Sequence, residues 1–140
     1  MKEKIELAFV PQNKRSEVSI VEKRVSGKDY IFYGDDNKFP EYLWNLYLNC
    51  STLQSIINGT VDFVSGNEVK INDPKFVEEV NKEGDTIDDI YRKITVDCMI
   101  FGGFALQIIR NVKGEVNEIY WVDFRKLRLN EDFDKVFYCD

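Results

Sequence analysis

Apolar positions along this chain follow two spacings, and each spacing predicts its own elements. Leu53, Ile56, Ile57, Thr60, Val61 and Val64 fall at i, i+3, i+4, i+7, i+8 and i+11, the stripe of an amphipathic helix facing a core. Ser51 and Thr52 stand where a side chain can cap its start, and Gly66 stands where it ends. Gly59 falls inside it, at a cost of about 1 kcal/mol relative to alanine, so either another backbone approaches there or the helix bears that cost. Thr86-Ile87-Asp88-Asp89 has the form of an acidic capping box. It opens the longest regular apolar face, Ile87, Ile90, Tyr91, Ile94, Cys98 and Phe101, and predicts a helix over 86–101. Phe39-Pro40 followed by Tyr42, Leu43, Leu46 and Tyr47 predicts a short helix over 40–49, and Asp73-Pro74 with Phe76, Val77 and Val80 predicts a brief one ending near Gly84.

Elsewhere the period drops to two. Val18, Ile20, Glu22 and Arg24 alternate with Ser19, Val21, Lys23 and Val25, and the apolar run Tyr30–Tyr33 follows, so residues 1–32 read as a strand-rich arm. Residues 68–72 alternate as a short strand. Gly102-Gly103 breaks the long helix, and residues 104–110 and 116–123 form a hairpin joined through Asn111–Glu115. Residues 123–129 and the final run Val136–Cys139 continue in strand character. An apolar strand at the terminus predicts an edge closed by a partner or by further chain. The expected fold is α+β, with helices packed against mostly antiparallel strands in one domain over 1–140, the arm 1–32 preceding a helical and hairpin core 33–140.

Composition narrows the chemistry. With 44% hydrophobic and 31% charged residues among 140, the chain orders and buries a core. It contains no histidine, which removes histidine-dependent nucleophiles, histidine-ligated zinc and imidazole acid–base catalysis. The net charge of −6 disfavours a protein that grips phosphate backbones over its whole surface. Charge is uneven: residues 1–28 carry 7 basic and 4 acidic side chains, residues 29–140 carry 12 and 21. Cys50, Cys98 and Cys139 are widely spaced, without a CxxC pair, and read as reduced thiols of a cytoplasmic product. No apolar run has the length of a signal peptide or a membrane span, so neither export nor a membrane is expected.

Tyr33-Gly34-Asp35-Asp36 matches the metal-binding hairpin tip of RNA-dependent RNA polymerases, whose adjacent carboxylates hold two magnesium ions. Only 32 residues precede it, too few for the fingers and the upstream carboxylate motif of such an enzyme. The expected role of Asp35, Asp36 and Asn37 is instead to cap a turn that uses the conformational freedom of Gly34. A metal-dependent nucleotidyl enzyme on Asp35 and Asp36 predicts divalent-ion binding lost in Asp35→Asn. Asp88 and Asp89 suit the positive end of a helix dipole, and Gly102-Gly103 follows a helix where a phosphate loop would open one. Cys98 reads as a packing residue on the apolar helix face. No catalytic, cofactor or metal residues are assigned, and no cofactor is expected.

The stretch Tyr33-Gly34-Asp35-Asp36-Asn37-Lys38-Phe39-Pro40-Glu41-Tyr42-Leu43 is followed by Ser51, Ile56, Ile57, Val61, Phe63 and Gly66 on a helix. It resembles the N-terminal portion of tailed-bacteriophage portal proteins. A later block, Phe101–Asn111, then Lys113-Gly114-Glu115, then Ile119–Arg128, resembles the hairpin of the portal wing region. The resemblance implies a non-enzymatic virion subunit, assembled in the bacterial host cytoplasm. Its homo-oligomeric ring sits at one capsid vertex and docks terminase, capsid and tail proteins. Double-stranded DNA passes through the ring during packaging and ejection without tight binding, and an acidic body suits such a conduit. Complete portals are several hundred residues long, so the chain is expected to be part of a longer one. The alternative is a small phage or prophage interaction module that binds another virion protein. Trp44 and Trp121 serve either as core residues or as subunit contacts.

Overall fold

A computed structural model describes residues 22–25, 27–66, 69–76 and 78–139. The elements in order are β1 (Glu22–Lys23), β2 (Phe32–Tyr33), α1 (Phe39–Asn49), α2 (Ser51–Ser65), a 3₁₀ turn Pro74–Phe76, α3 (Ile87–Phe101), β3 (Ala105–Arg110), β4 (Val116–Val122), a second 3₁₀ turn Phe124–Lys126, β5 (Leu127–Leu129) and β6 (Val136–Tyr138). Three helices with antiparallel hairpins make this an α+β fold, as the two spacings predict. The strands pair as three separate two-stranded ladders, β1–β2, β3–β4 and β5–β6. Of the alternating stretch before Tyr30, residues 18–21 lie outside the described residues.

Each helix begins and ends for a local reason. At α3 the Thr86 hydroxyl accepts the Asp89 N–H at 3.2 Å and the Asp89 carboxylate accepts the Thr86 N–H at 3.0 Å, the reciprocal capping box expected there. The helix stops at Gly102, whose φ of 75° is left-handed. Pro40 occupies the first turn of α1. Cys50 then joins α1 to α2 alone: its N–H donates to the Leu46 carbonyl at 3.0 Å while its own carbonyl accepts the Gln54 N–H at 2.9 Å. This one-residue joint draws Ser51 and Thr52 into α2, so neither caps it.

α2 packs on α3, α1 contacts both, and α3 lies against β4. Ile57 and Val61 of α2 and Ile90 of α3 are buried, with Val80 and Ile31 from the loops. The buried stripe of α2 is narrower than its apolar periodicity, because Ile56 and Val64 are exposed. Its neighbouring helices cover only the arc that Ile57 and Val61 share at i, i+4.

Two expected elements do not form. The described part of the 68–72 stretch, residues 69–72, is not a strand. Among its described residues, the segment after Pro74 holds one 3₁₀ turn and no longer helix. Here the Asn81 side chain accepts the N–H groups of Glu83 and Asp85 at 2.9 and 3.2 Å, giving the backbone an alternative to helical bonding. The loop runs along β4: the Ile119 N–H donates to the Val80 carbonyl at 2.9 Å, and Asn81 Nδ2 donates to the Ile119 carbonyl at 3.0 Å. Among the described residues, no helix is long and apolar enough to cross a membrane.

β3 and β4 pair from Ala105↔Val122 to Arg110↔Val116, with an irregularity between Ile109 and Arg110. This register sets Trp121 opposite Leu106, on the strand that α3 covers.

Candidate functional site

Of the acidic residues singled out from the sequence, Asp36, Asp88 and Asp89 are engaged in backbone geometry. In the Tyr33–Lys38 turn, Gly34 and Asn37 take φ of 82° and 61°, and the Asp36 carboxylate accepts the Lys38 N–H at 3.1 Å. The Asn37 side-chain oxygen accepts the Tyr33 N–H at 3.1 Å and also the Arg128 Nε–H. Asp35 and Asp36 are exposed. Among the described residues no group of three acidic or cysteine side chains could hold a metal ion. Asp88 accepts the Val69 N–H at 2.7 Å, and Asp89 is spent on the capping box. Gly103 is a close-approach position, since a Cβ there would stand 3.2 Å from the Phe124 ring. Cys98, expected on the packed face, is exposed: α3 turns Ile90, Thr95 and Asp97 inward instead.

That rotation of α3 builds a cleft of about 350 Å³. Trp44 comes from α1, Lys93 and Asp97 from one face of α3 at i, i+4, Trp121 from β4, and Asp123 and Arg125 from the turn that follows. Asp97 lies at its floor, only 3% exposed, and its Oδ2 accepts the Trp121 indole N–H at 2.7 Å. Burial pushes the Asp97 carboxyl up to about 6; the indole hydrogen bond and Arg125 oppose this, and the Asp123 charge adds to it.

The cations on the walls are held by other carboxylates. Arg125 grips Asp123 with two donors, Nε at 2.9 Å to Oδ1 and Nη2 at 2.6 Å to Oδ2, while Nη1 stands 3.6 Å from Glu41. Burial alone would raise the Asp123 carboxyl, but these bonds bring it below its ordinary value. The Arg125 guanidinium also stacks over Trp44, 4.8 Å from the ring centroid. Lys93 Nζ bonds Asp85 at 2.8 Å and lies 5.9 Å from the centre of the Trp121 ring.

The chain matches no protein-family model, no curated protein and no solved structure. The cleft offers indole walls, charged groups fixed by one another, and one carboxyl that burial raises to about 6, a combination suited to recognition. Sequence reasoning considered both tryptophans, as core or as contact residues, and the structure leaves them half-buried around the cleft. Asp97 was missed. Its signal was a lone charged side chain in the run Ile94-Thr95-Val96-Asp97-Cys98-Met99-Ile100-Phe101.

Proposed function

We propose that this chain is the N-terminal part of a tailed-bacteriophage portal: a structural subunit that joins its own copies in a ring and catalyses no reaction. In that role it belongs to the virion, docks terminase, capsid and tail proteins, and lets duplex DNA pass without holding it. The observation that carries the reading is its uncovered apolar surface. Among the described residues five apolar side chains are buried, whereas fifteen large ones are exposed. Phe63 is 88% exposed and Ile56 59%, one above the other at i, i+7 on α2, with Leu46 and Leu48 exposed on α1. Large apolar side chains stacked on one exposed helix face suit a contact surface, and self-association would cover them. The portal-like segments around Tyr33–Leu43 and Phe101–Arg128 supply the family, and the acidic net charge of −6 suits a conduit that must release its cargo.

Sedimentation velocity over a concentration series, with electron microscopy of the associated species, tests this. The expected result is concentration-dependent association into rings with a channel wide enough for duplex DNA. Phe63→Glu should abolish association while leaving the melting temperature of the monomer within a few degrees. Persistent monomers across the series would overturn it and favour an interaction module that meets a different virion protein.

A further inference from the structure

We propose that the cleft between α1, α3 and β4 binds a cation of the guanidinium or alkylammonium class on an apolar stem, received by the Asp97 carboxylate between the two indole walls. The inference is independent of ring formation. Every cation lining the cleft already has a carboxylate of its own: Arg92 with Asp62 at 2.6 Å, Lys93 with Asp85 at 2.8 Å, and Arg125 with Asp123 at 2.6 Å. Asp97 has none. Among the described residues its one hydrogen bond comes from the neutral Trp121 indole, although the residue is more than nine-tenths buried. Burying an unpaired carboxylate is costly, and an amide would satisfy the indole equally well without that cost. The charge is therefore the part of this side chain that structure alone does not use.

The walls define the class of ligand. Arg125, stacked on Trp44 and doubly bonded to Asp123, already shows a guanidinium satisfied by one indole face and one carboxylate. Asp97 likewise sets a carboxylate beside an indole, here joined to it through the indole N–H, with the Lys93 ammonium 5.9 Å from the ring centre. A space of about 350 Å³ takes a small group with its stem. Such a cation is either a free guanidinium compound or an arginine side chain of a partner polypeptide.

Tryptophan fluorescence and calorimetric titrations at pH 8 separate these sources, using agmatine, an acetylated Gly-Arg-Gly amide, and its citrulline counterpart as the neutral isostere. The expected result is saturable binding of agmatine or the arginine peptide in the millimolar range or tighter, at least about tenfold weaker for the citrulline peptide. Stronger agmatine binding identifies a free compound, and stronger peptide binding identifies an arginine side chain. Asp97→Asn keeps the acceptor for Trp121 and should lose at least about tenfold in affinity while melting no lower than the native protein. Trp44→Leu, which removes one indole wall without touching the Asp97–Trp121 hydrogen bond, should weaken binding severalfold. Equal binding by Asp97→Asn, equal binding of the citrulline peptide, or no saturable binding of either cation would overturn the proposal.

Discussion

Asp97 makes the fold depend on pH in the direction opposite to an ordinary paired carboxylate. Its folded value, about 6, lies above the ordinary 3.8, so the native state binds the proton more tightly than the unfolded chain. The stabilisation by protonation is complete below the unfolded value and is lost as pH rises through about 6. Asp85, Asp89 and Asp123, whose values are lowered, act the other way, and the raw stability curve mixes the two. Comparison with Asp97→Asn isolates the one group. The variant should gain about 1–2 kcal/mol on the native protein between pH 4 and pH 8, after allowance for partial solvation of the cleft. Urea denaturation at the two pH values measures this, and a stability difference that does not move with pH would refute the buried, unpaired carboxyl.

At the scale of elements, Gly59 tells what one helix tolerates. It lies inside α2 on its exposed side, and a Cβ added there meets nothing within 4 Å, so among the described residues no neighbouring backbone requires the glycine. Gly59→Ala should raise stability by about 0.5–1 kcal/mol, seen as a higher urea midpoint with an unchanged slope. A lowered midpoint would mean that the methyl meets something. The elements legible in the sequence are those decided by neighbouring residues: the Thr86–Asp89 box fixed the start of α3, Gly102 its end, and Asn111–Glu115 the β3–β4 turn. The strand read at 68–72 needed a ladder to join, and alternation cannot reveal whether one is near. The helix expected after Asp73-Pro74 lost to Asn81, whose side chain bonds two backbone N–H groups. The cleft was the least legible feature, because Asp97 and Trp121 stand 24 residues apart and meet only when α3 is rotated onto β4.

For the molecule as a whole, the decisive long-range tie is Arg128. It is 5% exposed, and it joins the Tyr33–Lys38 turn to the second half of the chain across 91 residues of sequence. Nη2 donates to the Asn37 carbonyl at 2.8 Å, Nη1 to the carbonyls of Arg125 and Leu127 at 2.7 Å each, and Nε to the Asn37 side chain. The guanidinium also covers the Tyr33 ring at 4.9 Å. Among the described residues no carboxylate meets it, and burial pushes its value below the ordinary arginine range. A planar fork serving four acceptors has no substitute in lysine, whose ammonium is a single point donor. Arg128→Lys should therefore destabilise the fold by about 2–4 kcal/mol, with the carbonyls around it left short of donors. The loss should be local first. The Ile31 N–H, which donates to the Leu129 carbonyl at 2.9 Å, and the Tyr33 N–H, held by Asn37, should lose protection from hydrogen exchange before the amides of α3. If Ile31 and Tyr33 kept their protection while α3 lost its own, the tie between the two halves would have to be sought elsewhere.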